Sequence, residues 1–305
     1  MQSALIILSQ LIKMLIYCAI GYILHRRKMI SKEGCSALST VLLYVILPCV
    51  IVSSFMREAT PETTNALLVS ILASALLVIL AMGMSKLLFR KNPVDEFSSS
   101  FSNAGFMGMP LIASAFGADA VFYIAGFTAF LNILQWTYGQ YILSRNSEHK
   151  IQVNVKNVLL NPLVIALAAG LIVYFTQIKL PEQITSCITT ISGCNGPVAM
   201  IILGYYLSEI PFKDIITFKE GYLVTLSRLI IIPVLSILLL KLFTGIDATI
   251  KQVILIAACA PVGINVAIYA QRLNQDYHRA IIHICQSTVL CIITMPLIIW
   301  LSEII

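Results

Sequence analysis

The chain has 305 residues, 59% of them hydrophobic and only 11% charged, with a net charge of +6 and a mean hydropathy of +0.92. Soluble domains carry about 25% charged residues, so a soluble globule is excluded. The positive excess invites a nucleic-acid partner, but its distribution along the chain is that of a membrane protein.

Taken in order, the first apolar stretch, residues 1–25, holds a single cation, Lys13. It lacks a basic leading region and a small-residue cleavage site, so a retained helix is expected rather than a signal peptide. Runs free of Asp, Glu, Lys and Arg then cover 34–56, 63–85, 97–118, 120–144, 157–178, 183–208, 252–271 and 280–302. Each is near the roughly 20 residues that span a bilayer as a helix. A further stretch, 221–240, is interrupted only by Arg228. The expectation is ten transmembrane helices. Alternation of the kind a membrane barrel needs is absent, and backbone in lipid must satisfy its own polar groups, which forces helices.

The loops carry the charge. Fourteen Lys and Arg fall in loops one, three, five, seven and nine, and four fall in the even loops. The positive-inside rule then puts the odd loops in the cytoplasm and both termini outside a cell membrane. Short connections leave no room for a soluble domain. The eight cysteines form no CxxC pair and most lie within apolar runs, as small packing residues do. No His and acid stand at ligand spacing, so neither a metal nor a cofactor is expected.

The chain also repeats. Gly21 and Gly170 are 149 residues apart, as are Pro48 and Pro197, while Pro61 and Pro211 are 150 apart. The fourth helix of each half carries a cluster of helix breakers, "NAGFMGMP" and "PVGIN". Five helices is an odd number, so the second copy must enter the membrane from the opposite side. The fold class is therefore an all-α polytopic membrane protein built as a 5+5 inverted repeat, with halves 1–150 and 151–305. Its fourth and ninth helices are broken crossover helices, and such matched breaks mark a midplane binding site in secondary transporters.

Asn103, Gly105, Gly108 and Pro110 in one break, and Pro261, Gly263 and Asn265 in the other, are the candidate binding residues. Glycine lets backbone unwind and lets another helix approach closely. Pro110 suits the first turn of a restarting half-helix. Half-helix N-termini bring partial positive charge to one place, which favours an anion. Asn132 and Gln135 share a face of the fifth helix and Gln286 lies in the tenth; each offers neutral hydrogen bonds, or alternatively packs between helices. Lys13 and Arg228 are candidate charge partners, or else snorkel to an interface. All fourteen acids map to loops or helix ends, which argues against a dedicated proton antiporter.

The pattern Asn103-x-Gly105-x-x-Gly108-x-Pro110, its counterpart Pro261-x-Gly263-x-Asn265 and the five-plus-five plan resemble the auxin efflux carrier family. That family includes bacterial carboxylate carriers as well as plant auxin exporters. The resemblance covers nearly the whole chain. It implies a fold related to bile-acid sodium symporters, with a scaffold from helices 1, 2, 6 and 7 and a transport domain from helices 3–5 and 8–10. It also implies elevator-type movement, a homodimer formed through the scaffold, and a small organic anion as substrate among membrane lipids. The short segment 145–156 replaces the long cytosolic loop of the plant exporters, and Asn265 stands where they carry a second proline. Both departures favour a prokaryotic-type carrier of carboxylates such as malonate or malate over auxin itself. Alternative readings are a Na⁺- or H⁺-coupled symporter of another organic solute, and a channel-like or sensory membrane protein. An enzyme is not expected, since no nucleophile, base or metal cluster stands at workable spacing.

Overall fold

The computed structural model describes residues 2–145 and 160–304. The expected boundary between the halves, with His149, Lys150 and Lys156, lies outside them. All regular structure among the described residues is helical. The helices of the first half are α1 (Gln2–Arg26), α2 (Lys32–Phe55), α3 (Pro61–Phe89), α4 (Pro93–Ser100), α5 (Ala104–Phe116) and α6 (Ala118–Ser144). Those of the second are α7 (Pro162–Thr176), α8 (Glu182–Glu209), α9 (Phe212–Thr217), α10 (Lys219–Lys241), α11 (Ala248–Cys259), α12 (Asn265–Arg272) and α13 (Tyr277–Ile304).

Seven of these, α1, α2, α3, α6, α8, α10 and α13, are long and apolar enough to cross a membrane. The chain is thus a multi-pass membrane protein. Three apolar helices, α5, α7 and α11, are shorter. Two of them belong to interrupted segments: run 97–118 is split between α4 and α5, and run 252–271 between α11 and α12.

Local sequence explains where the helices start. Thr60, Asn92 and Asn161 accept backbone hydrogen bonds as N-caps of α3, α4 and α7. Each precedes a proline at the first helical position, where a missing N–H costs nothing. Prolines further inside a helix act differently. Single π turns at Leu42–Ile46, Ala104–Gly108 and Ser227–Ile231 each end two residues before a proline, namely Pro48, Pro110 and Pro233. A proline ring clashes with the carbonyl four residues back. In each case the residue before the proline donates instead to the carbonyl five back: Leu47 to Leu42, Met109 to Ala104, Ile232 to Ser227. The widened turn makes room for the ring. Pro110 consequently stands one turn later than the restart position expected for it.

Four helices pack into one block. α1 lies along α8, and α2 lies against both α7 and α8. Gly21 of α1 faces the backbone of Ile201, and Gly204 of α8 faces that of Cys18, so a side chain at either would collide with main chain. On the other side of the block, a Cβ at Gly170 of α7 would come within 2.7 Å of the Phe55 ring in α2. Tyr174 of α7 is buried beside it and its hydroxyl bonds Thr63 and Thr64 at the start of α3, at 2.8 and 2.9 Å.

The remaining helices surround the two breaks. α3 packs on α4 and α6, and α13 packs on α10, α11 and α12. Gly126 lets α6 approach α3, since a Cβ there would lie 2.9 Å from the Ile71 Cα.

Candidate functional site

The two interrupted segments cross, and their unwound residues pair. Phe101 leaves α4 in an extended conformation, as Ala260 leaves α11. Ser102 and Val262 form an isolated antiparallel bridge. The Asn103 N–H donates to the Pro261 carbonyl at 2.8 Å, and the Gly263 N–H donates to the Phe101 carbonyl at 3.0 Å. Side chains complete the crossing: Ser102 Oγ donates to the Ala257 carbonyl at 2.9 Å, and Ser287 Oγ accepts from the Val262 N–H at 3.0 Å. Backbone that would be intolerable in lipid is thereby satisfied within protein.

Glycines permit the approach. A Cβ at Gly263 would lie 3.2 Å from the Ser102 carbonyl oxygen, and one at Gly108 would lie 3.6 Å from the Ala257 Cα. Gly105 has more room; its nearest neighbour is the Leu47 side chain, at 3.9 Å from such a Cβ.

Beside the crossing is a cavity of about 780 Å³ between α2, α6, α8, α12 and the start of α13. Its inner wall holds Asn132, Asn265, Phe106, Trp136, Ile264 and Tyr269. Trp136 meets Tyr269 edge-on, with ring centroids 5.8 Å apart. Asn265 Nδ2 donates to Gln135 Oε1 at 2.7 Å, which ties α12 to α6. Asn132 Nδ2 is bonded at 2.7 Å to the Thr128 carbonyl of its own helix. The amide nitrogens of Asn103 and Gln135 are both buried with no hydrogen-bond partner. Both residues lie outside the cavity lining.

At its outer end the cavity reaches Lys32, Glu209, Arg272 and Tyr277, which flank odd-numbered loops. The Glu209 carboxylate accepts from Tyr205 at 3.0 Å and from Tyr277 at 3.1 Å, linking α8 to α13.

The structure brings together Asn103, Gln135, Pro261, Gly263 and Asn265, with Gly105, Gly108 and Pro110 following in α5. Asn265 and Asn132 line the cavity, while Asn103, Gln135, Pro261 and Gly263 lie behind it in the crossing. Gln286 does something else: its amide donates to the carbonyls of Ile215 and Phe218 at 2.6 and 3.0 Å, fastening α13 to the α9–α10 connection. Lys13 is exposed on α1 and does not line the cavity. Arg228 does not snorkel. It is 1% exposed, and its guanidinium donates to the carbonyls of Ser99 and Ser100 at 3.0 and 3.3 Å and to that of Ala258.

Two acids at the start of α4, a helix end as expected from the sequence, are also buried. Asp95 takes a bidentate pair from Arg279 at 2.6 and 2.7 Å and lies 2.7 Å from His283 Nε2. Glu96 is paired with Arg145 and accepts from Tyr138 at 3.0 Å. Sequence reasoning missed this network because its partners are 42 to 188 positions away. Among the described residues no group of His, Cys, Asp and Glu could hold a metal ion.

The sequence model of the family described as "Membrane transport protein" matches residues 6–299, which includes both breaks. A protein named "Putative malonate transporter" from Rhizobium meliloti (strain 1021) is 25% identical over 294 residues, covering 92% of this chain and 91% of the relative. An "Uncharacterized transporter" from Methanothermobacter thermautotrophicus is 25% identical over 300 residues, covering 94% and 95% respectively.

Proposed function

The chain belongs to the membrane transport protein family, the auxin efflux carriers of the sequence resemblance, and we propose from that premise that it is a secondary carrier of small carboxylates. The observation that carries this reading is the crossing of two broken helices beside a cavity whose inner wall holds the neutral amides of Asn132 and Asn265. Carboxylates accept hydrogen bonds, so they match amide N–H₂ donors; those of Asn103 and Gln135 are unpaired, and Gln135 is joined to the cavity wall through its bond to Asn265. The starts of α5 and α12 add roughly half a positive charge each. The relative named for malonate transport adds weight to a short carboxylate.

Alternating access is proposed to proceed by an elevator movement. The block of α1, α2, α7 and α8 serves as scaffold, and the helices around the crossing move as the transport domain. The scaffold contacts fit an inverted repeat: Gly21 meets the partner half at Ile201, and its counterpart Gly170 meets the opposite half at Phe55. With odd loops cytoplasmic, the cavity faces inward and both termini lie outside. The α8 segment Glu182–Gly193 has no buried residue, which suits a scaffold-mediated homodimer in lipid.

The test is uptake into proteoliposomes with a panel of mono- and dicarboxylates, under imposed Na⁺ or proton gradients. Saturable counterflow of one or more carboxylates is expected. Its absence for every acid in the panel, with uptake of another solute class, would overturn the reading; linear flux without counterflow would make the protein a channel.

A further inference from the structure

Arg228 is among the largest fully buried side chains, and no carboxylate among the described residues pairs with it. Taking such a charge out of water costs several kcal/mol unless it is compensated. The compensation here is main chain. Ser99 and Ser100 are the last two residues of α4, and Ala258 is the penultimate residue of α11, so the guanidinium joins the carbonyl ends of both half-helices that enter the crossing. Each such end carries roughly half a negative charge. Two together approximately balance one guanidinium. Carbonyl ends and unwound backbone of this kind are where ion-coupled carriers coordinate a mobile cation.

We infer that Arg228 is a built-in counter-cation of the crossover, a tethered guanidinium held where the two converging carbonyl ends would otherwise recruit a mobile cation. With those ends neutralised from within, the opposite pair of helix starts, at Ala104 and Asn265, keeps its positive character for the substrate. Arg228 is a positioning residue: it lines no part of the cavity and acts through the backbone of α4 and α11. Two consequences follow. Binding and transport need no Na⁺, and removal of the side chain converts the crossing into a site for a small cation.

This rests on the carrier reading, and two separate readouts keep the two distinguishable. The first is thermal melting of purified Arg228→Ala, Arg228→Lys and the unaltered protein in detergent, in choline, Na⁺ or millimolar guanidinium chloride. The second is malonate counterflow in proteoliposomes in the same salts. The unaltered protein should melt and transport identically in choline and Na⁺. Arg228→Ala should melt lower by about 5 °C or more and lose counterflow about tenfold or more, and guanidinium should restore much of both. Arg228→Lys, which keeps the charge, should lie between. If Arg228→Ala does not fold, the Lys variant and the salt series on the unaltered protein still decide. Na⁺-dependent melting or transport of the unaltered protein overturns the assignment. So does an Arg228→Ala variant that behaves normally in choline, or one that guanidinium and Na⁺ leave unimproved. If no carboxylate is transported but guanidinium restores the melting of Arg228→Ala, the carrier reading fails and the tethered cation stands.

Discussion

Replacing Asn265 by Ala removes the hydrogen bond, 2.7 Å long, that holds Gln135 Oε1. Gln135 is 1% exposed and its amide nitrogen already lacks a partner. The substitution therefore leaves the whole Gln135 amide unsatisfied. A lost neutral hydrogen bond costs about 1 kcal/mol, and an orphaned buried polar group about 1–3 kcal/mol. Melting in detergent should fall by the few degrees that correspond to this in a chain of such length. The double variant Asn265→Ala with Gln135→Leu replaces both partners by apolar groups and should recover most of that stability. Transport should not recover with it. Hydrogen bonds to a charged ligand are worth about 1.5–3 kcal/mol, so affinity for the carboxylate should fall roughly ten- to a hundredfold in both variants. The assays are thermal melting and the concentration dependence of counterflow. A double variant that regains wild-type transport along with stability would refute the reasoning, because the pair would then serve packing alone.

Gly108→Ala should be tolerated, since its Cβ meets the Ala257 Cα at an ordinary 3.6 Å. Gly108→Leu should abolish counterflow by forcing α5 from α11 without preventing membrane insertion, which fractionation and size-exclusion chromatography would read. Gly263→Val pushes branched carbon into carbonyls that already stand 3.2 and 3.3 Å from a Cβ, and should destabilise by about 1–3 kcal/mol through overpacking, measured by melting. Lys28→Cys, in the first loop, should react with an impermeant thiol reagent only from the cytoplasmic side; labelling from outside would reverse the orientation of every helix.

Much of the architecture is a one-dimensional property of this chain. Charge-free runs of membrane length, basic odd loops and the clusters around Gly108 and Gly263 are local, and hydropathy and helix breaking act locally. Both breaks are therefore legible before any packing is known. The partners of polar side chains are not. Arg228 reads in sequence as a cation two turns into a helix, free to reach an interface; only the convergence of α4 and α11 supplies the carbonyls that bury it. Gln286 has the composition of a site residue, yet packing gives its amide to the α9–α10 connection. Asp95 and Glu96 sit at a helix start, where water usually takes them, until α13 and α6 bring Arg279, His283 and Arg145 against them. Much of the outer wall of the cavity comes from α2 and α8, which lie outside the two crossing segments. In low dielectric a polar group takes whichever partner the packed neighbours present, and those neighbours come from segments 30 to 188 residues away.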